Sequence, residues 1–139
     1  MIVRDATPGD YPSIESIYRG MGMDYALPDL HSPLFLVKKV ASDEDNNLLG
    51  ASFLRLQAEC YLWLPYNLSP RMKVNVMREM QPEVLGEAWS KGLDCVEARI
   101  PRDIESRFHK RLQELGWSRD REDWHPWSIY LNAFSTSTS

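Results

Sequence analysis

Three histidines, two cysteines and one basic run are the first places to look for chemistry in this 139-residue chain. His31, His109 and His125 are remote from one another, and no His-Glu-x-x-His occurs. Cys60 and Cys95 form no Cys-x-x-Cys, so neither a metal site nor a redox motif is expected, and both thiols read as reduced, buried fillers. A nucleophilic Cys/His pair such as Cys60 with His109 stays open, with no signature promoting it. There is no Gly-x-Ser-x-Gly elbow, no Walker loop and no Gly-x-Gly-x-x-Gly after a strand; Gly20-Met21-Gly22 ends a helix. Basic charge gathers in Arg99, Arg102, Arg107, His109, Lys110 and Arg111. Arg107, Lys110 and Arg111 fall at i, i+3 and i+4 and share one helical face. That face reads either as a solvated helix back, with Glu105 and Glu114 as counter-charges, or as a contact for phosphates or an acidic partner.

Composition bounds what these residues serve. Apolar residues make up 43% and charged residues 26%, the balance of a soluble globular chain. A chain of this length can bury roughly two thirds of its surface, enough for one domain without staples. Sixteen Lys plus Arg against twenty Asp plus Glu leave a net charge of −4, which argues against a general nucleic-acid or acidic-membrane binder. The apolar runs Leu34 to Val37 and Tyr61 to Leu64 are too short for a bilayer. Arg4 and Asp5 follow two apolar residues with no apolar signal segment, so a cytoplasmic protein is expected.

The elements that must position the chemistry begin with a strand, Ile2 to Ala6. Thr7-Pro8-Gly9-Asp10 then starts a helix, with Thr7 as N-cap and Pro8 at the first position. Tyr11, Ile14, Ile17, Tyr18 and Met21 form its apolar stripe, and Gly20 and Gly22 end it. Met23 to Pro33 reads as a surface loop, a lid or binding edge. Leu34 to Ala41, Leu48 to Gln57 and Glu59 to Leu64 read as strands of an antiparallel meander, with Ser42 to Asn47 as a turn. Ser69-Pro70 starts a helix carrying Met72, Val76, Met77, Met80, Val84, Ala88 and Trp89 on helical spacing. Pro82 predicts a kink there or two consecutive helices. Asp94 to Ile100 is the next strand. Asp103 caps a last helix with Ile104, Phe108, Leu112 and Leu115 on one face, and Gly116 stops it so that Trp117 folds back on Leu112. Trp117 to Arg119 and Trp127 to Phe134 are expected to pair as a closing hairpin. Its crowded Trp117, Trp124 and Trp127 suit a protein interface. Ser135 to Ser139 is expected to be a disordered tail.

This order, strand, helix, loop, three strands, helix, strand, helix, two strands, resembles the GNAT family of acyl-CoA N-acyltransferases over about residues 1 to 134. The opening Ile2-Val3-Arg4-Asp5-Ala6-Thr7-Pro8-Gly9-Asp10, the Leu48-Leu49-Gly50 of a middle strand and the closing Leu112-Gln113-Glu114-Leu115-Gly116-Trp117 carry the likeness. It implies a single α+β domain with a mixed, mostly antiparallel central sheet of about six to seven strands and helices on both faces.

By that resemblance the cofactor is acetyl-CoA, with no metal. Its pantetheine would follow the fourth strand at Leu62, Trp63 and Leu64, and its pyrophosphate would meet the helix start that follows. The family pattern there is Arg or Gln, any two residues, Gly, any residue, then Gly or Ala. Tyr66 to Val76 holds no glycine, Pro70 removes one donor, and a capping Ser69 hydroxyl occupies another. The binding candidates are therefore Ser69, Arg71, Met72 and Lys73, the two cations acting through their side chains. Arg107 joins them, because the resemblance sets the last helix beside the cofactor groove. Glu59 stands near the family's general base, with neighbouring Cys60 on the opposite face of the strand. The family's acidic tyrosine falls at Leu112, which leaves Tyr130 or Tyr66 for that role. Two functions follow: acetyl transfer to an amine of a small molecule or protein, with strand-four amides near Trp63 stabilising the oxyanion, or a catalytically inactive GNAT-fold binding or assembly module, as phage-encoded members can be. The acceptor would be chosen by loops such as Met23 to Pro33.

Overall fold

The computed structural model describes residues 1–119, 124 and 126–134. The Ser135 to Ser139 tail and His125 lie outside them. The elements are β1 (Ile2–Asp5), α1 (Tyr11–Met21), β2 (Phe35–Ser42), β3 (Leu48–Arg55), β4 (Ala58–Glu59), α2 (Pro70–Ser90), β5 (Val96–Glu97) and α3 (Arg102–Glu114), with 3-10 turns at Pro8–Asp10 and Leu131–Phe134. Two compact units hold them, Met1–Arg99 and Ile100–Ser139.

The expected six- to seven-stranded central sheet is not what the chain builds. β1, β2 and β3 form a three-stranded antiparallel sheet, and β4 and β5 form a separate two-stranded parallel one. The strand expected at Glu59 to Leu64 pairs only at Ala58 and Glu59, and the one expected at Asp94 to Ile100 only at Val96 and Glu97. Pro65 and Pro101 remove backbone donors just beyond these runs, and aromatic or β-branched side chains make a strand only where a partner backbone is at hand. The closing hairpin is also absent: Trp117 to Arg119 is irregular and Leu131–Phe134 is a 3-10 turn.

Helices do not cover both faces of the three-stranded sheet. Val40 and Ser42 are buried on one face, where Tyr11 and Ile14 of α1 pack with Leu30, Leu48 and Phe53. The other face pairs Val3 with Ala41, Asp5 with Lys39, and Val37 with Leu54. Its centre is polar, with an ion pair between Lys39 and Asp5, so it is wet, as one face of an antiparallel sheet commonly is. On the inner face Lys38 does what a hydrophobe would do elsewhere. Its ammonium donates to the Tyr11 hydroxyl at 2.9 Å and the Leu30 carbonyl at 2.7 Å, and lies over the rings of Tyr11 and Phe53. The loop from Met23 to Pro33 is thereby tied down at buried Leu30, and His31 packs edge-on against Tyr11 with centroids 4.9 Å apart.

The start of α1 is held by charge. Arg4 grips Asp10 with two hydrogen bonds of 2.8 Å, and Asp10 also accepts from the Thr7 N–H at 2.8 Å. Thr7 stands at the N-cap with Asp10 as its capping-box partner, and its hydroxyl also donates to the Asp10 carboxylate at 3.2 Å. α2 runs as one helix from Pro70 to Ser90 through Pro82, not as two consecutive helices, and none of its residues is buried. Of its apolar residues at helical spacing, Val76, Met77 and Ala88 are half-buried, whereas Met72, Met80, Val84 and Trp89 are exposed. Gly92 closes α2 with φ 88°, and Gly116 closes α3 with φ 94°, values a side chain resists. After Gly116 the Trp117 N–H returns to the Leu112 carbonyl at 3.0 Å, the expected reversal. α3 starts two residues early, at Arg102 with Pro101 at the N-cap, which puts Asp103 in its first turn.

The Arg4 guanidinium, followed by the Thr7 N–H, holds the Asp10 carboxyl well below the usual carboxylate range. Because the folded state depresses this pKa, its stabilisation is complete above the unfolded carboxylate value of about 3.9 and is lost as pH falls below it. Asp10→Asn is expected to cost about 2 kcal/mol at pH 7 and to remove that part of the acid sensitivity. Urea midpoints of wild type and variant at neutral and acid pH measure both.

Candidate functional site

Among the described residues, a strand end, a crossover helix and a group of titratable side chains meet at the parallel pair. Ala58 faces Val96 and Glu59 faces Glu97, with α2 as the crossover between the strands. The Cys60 N–H donates to the Glu97 carbonyl at 2.6 Å, and ladder pairing ends there. Beyond it, Leu62, Trp63 and Leu64 run without a ladder partner; Trp63 is 83% exposed, and its ring stacks on Tyr61 at 5.7 Å.

Charges of alternating sign line the pair. The Glu59 carboxylate lies 3.8 Å from Arg99 Nε, the Glu97 carboxylate accepts from Gln57 Nε2 at 2.6 Å, and Arg55 pairs with Asp94. Both Glu59 and Arg99 are substantially open to water, so their attraction is worth at most about 1 kcal/mol. Glu59 is thus oriented yet accessible, which a proton acceptor requires. Arg99 is the partner that a reading of single positions missed. It lies two residues past Glu97, and alternation along a strand keeps such residues on one face.

The start of α2 offers few amides to an anion. The Ser69 hydroxyl accepts from the Met72 N–H at 3.2 Å, Lys73 N–H bonds the Ser69 carbonyl at 3.0 Å, and Pro70 has no N–H. That leaves the Arg71 N–H in the first turn, with the Arg71 and Lys73 side chains, neither of which has an ion-pair partner among the described residues. No family model, curated protein or solved structure matches the chain. Function must therefore be argued from this geometry.

Glu59, Leu62, Trp63, Leu64, Ser69, Arg71, Met72 and Lys73 all belong to the first compact unit. Arg107 and Tyr130 belong to the second, where Tyr130 is solvent-exposed and Leu112 is half-buried. A surface concavity of about 460 Å³ follows the basic face of α3, lined by Arg107, His109, Lys110 and Arg111. Another of about 240 Å³ lies between Ser32–Leu34 and the end of α2 at Trp89. Neither contains Glu59 or the first turn of α2. The thiols are not the buried fillers expected: Cys60 is half-buried and Cys95 exposed. Among the described residues no three His, Cys, Asp or Glu side chains converge, and no helix is long and apolar enough to cross a membrane.

Ser69→Ala is expected to destabilise the protein by about 1 kcal/mol through loss of the cap, read as a lower melting midpoint and reduced helical dichroism.

Proposed function

We propose that this chain is an acyl-CoA-dependent N-acyltransferase whose chemistry lies where β4 meets the start of α2. The observation carrying this reading is the parallel β4–β5 pair, joined through α2 and ending after two residues on each strand. It leaves the backbone of Leu62, Trp63 and Leu64 unpaired beside a capped helix start, the arrangement that a pantetheine chain and its diphosphate call for in the GNAT resemblance.

The donor set fits a coenzyme diphosphate through charge more than through amides. Arg71 and Lys73 would hold the phosphates, with the Arg71 N–H as the free helix-end donor. The coenzyme, when bound, supplies an acyl group activated as a thioester. Glu59, kept in place by Arg99, takes the proton of an ammonium acceptor so that a neutral amine is available. Strand-four amides near Trp63 supply the oxyanion donors, and the departing thiolate takes its proton from solvent.

A second reading, a GNAT-derived binding or assembly module without catalysis, is favoured by one observation. The Met72 amide is occupied by Ser69 and the Pro70 amide does not exist, so the start of α2 lacks most of an amide cradle.

Thermal melting with coenzyme A distinguishes the two readings. Ligand at a hundredfold excess over its dissociation constant stabilises the folded state by about 2.7 kcal/mol, a rise of several degrees in midpoint. The transferase reading expects that rise; its absence at about 1 mM coenzyme, where even weak sites fill, leaves the binding module. Glu59→Gln is expected to keep the rise and lose acyl transfer, measured as release of free thiol.

A further inference from the structure

We infer that α2 is a contact between two copies of this chain, lying antiparallel about a two-fold axis at the level of Arg78. The helix has 21 residues, and its charges are sorted along the chain. The bases Arg71, Lys73 and Arg78 all precede the acids Glu79, Glu83 and Glu87. Each sign sits at the wrong end for the helix dipole, which favours acids at the N-terminus and bases at the C-terminus. The three glutamates also follow one another at i, i+4 and i+8, where like charges repel. None of the six charges has an ion-pair partner among the described residues. An isolated helix is destabilised by this order, whereas two copies packed antiparallel through the apolar stripe are stabilised by it, because Lys73 beside the stripe then meets the second copy's Glu83 and Glu87, while Arg71 and Arg78 stay on the far side with Pro82.

The apolar residues fit the same symmetry. Met72, Val76, Met80 and Val84 recur every four residues along one stripe, and Met72, Met80 and Val84 are 48%, 47% and 48% exposed. Met72 and Val84 are equidistant from Arg78, as are Val76 and Met80. The two-fold therefore sets Met72 against the second copy's Val84, and Val76 against its Met80, each contact occurring twice. Lys73 flanks the stripe within reach of the second copy's Glu83 and Glu87, and Pro82 lies on the opposite side, where it does not obstruct the approach. A second copy is the one occupant whose charges and spacing are both already present on the helix.

The test uses the full chain and three proteins: wild type, Lys73→Glu, and the double variant Glu83→Lys with Glu87→Lys. Sedimentation and light scattering are expected to show wild type as a dimer whose dissociation constant rises with salt. Each variant makes the facing charges alike and is expected to weaken self-association by about tenfold or more. Mixing the two variants restores opposite charges at both ends, so a heterodimer is expected in the mixture, with circular dichroism confirming that each is folded. Wild type that is monomeric at roughly 100 µM, where even a micromolar interface is filled, overturns the inference. So does a dimer indifferent to the substitutions, or a pair of folded variants that do not associate when mixed.

Discussion

The two hydrogen bonds between Arg4 and Asp10 join the first strand to the start of the first helix. Arg4 belongs to β1, Asp10 to the turn that starts α1, and the same guanidinium donates to Asn46 in the β2–β3 turn at 3.2 Å. A carboxylate this poorly hydrated is tolerable only because its charge and lone pairs are met by Arg4 and by the Thr7 N–H. With Asp10 fixed, Tyr11 and Ile14 are aimed at Val40, and the small core of the first unit can close around them. The half-buried Lys38 extends the same logic to the loop, since its ammonium ties Leu30 to Tyr11.

The parallel pair is built on a different principle. It has only two paired residues per strand and is bordered by exposed ion pairs, so packing contributes little to it. Its position is set by the capped start of α2 and by the left-handed Gly92 that returns the chain toward β5. Such a site presents side chains and unpaired backbone to solvent instead of enclosing a ligand.

What could be read from the sequence was what neighbours in sequence decide. The Tyr11 and Ile14 stripe, β2 and β3 with their Asp43 to Asn47 turn, and the Gly116-Trp117 reversal depend on residues within a few positions, and the structure has each of them. The misjudged features depend on distant partners. Cys60 to Leu64 has strand-forming side chains but no strand to pair with, and the Trp127 to Phe134 run fares the same. The apolar residues of α2 lie at helical spacing, yet spacing does not say which element will cover them. At the candidate site Glu59 was visible from its place on β4, whereas its partner Arg99 required knowing that β5 lies alongside.

The hairpin of β2 and β3, with β1 and α1 against it, takes all its pairing and its core residues from the first 56 positions. Short loops close quickly, and contacts close in sequence form early. This part of the chain can therefore assemble on the ribosome while α2 is still being synthesised. The parallel pair must wait, because Ala58 finds Val96 only after the whole crossover has emerged. Translation thus releases the residues of the N-terminal platform before those of the charged edge.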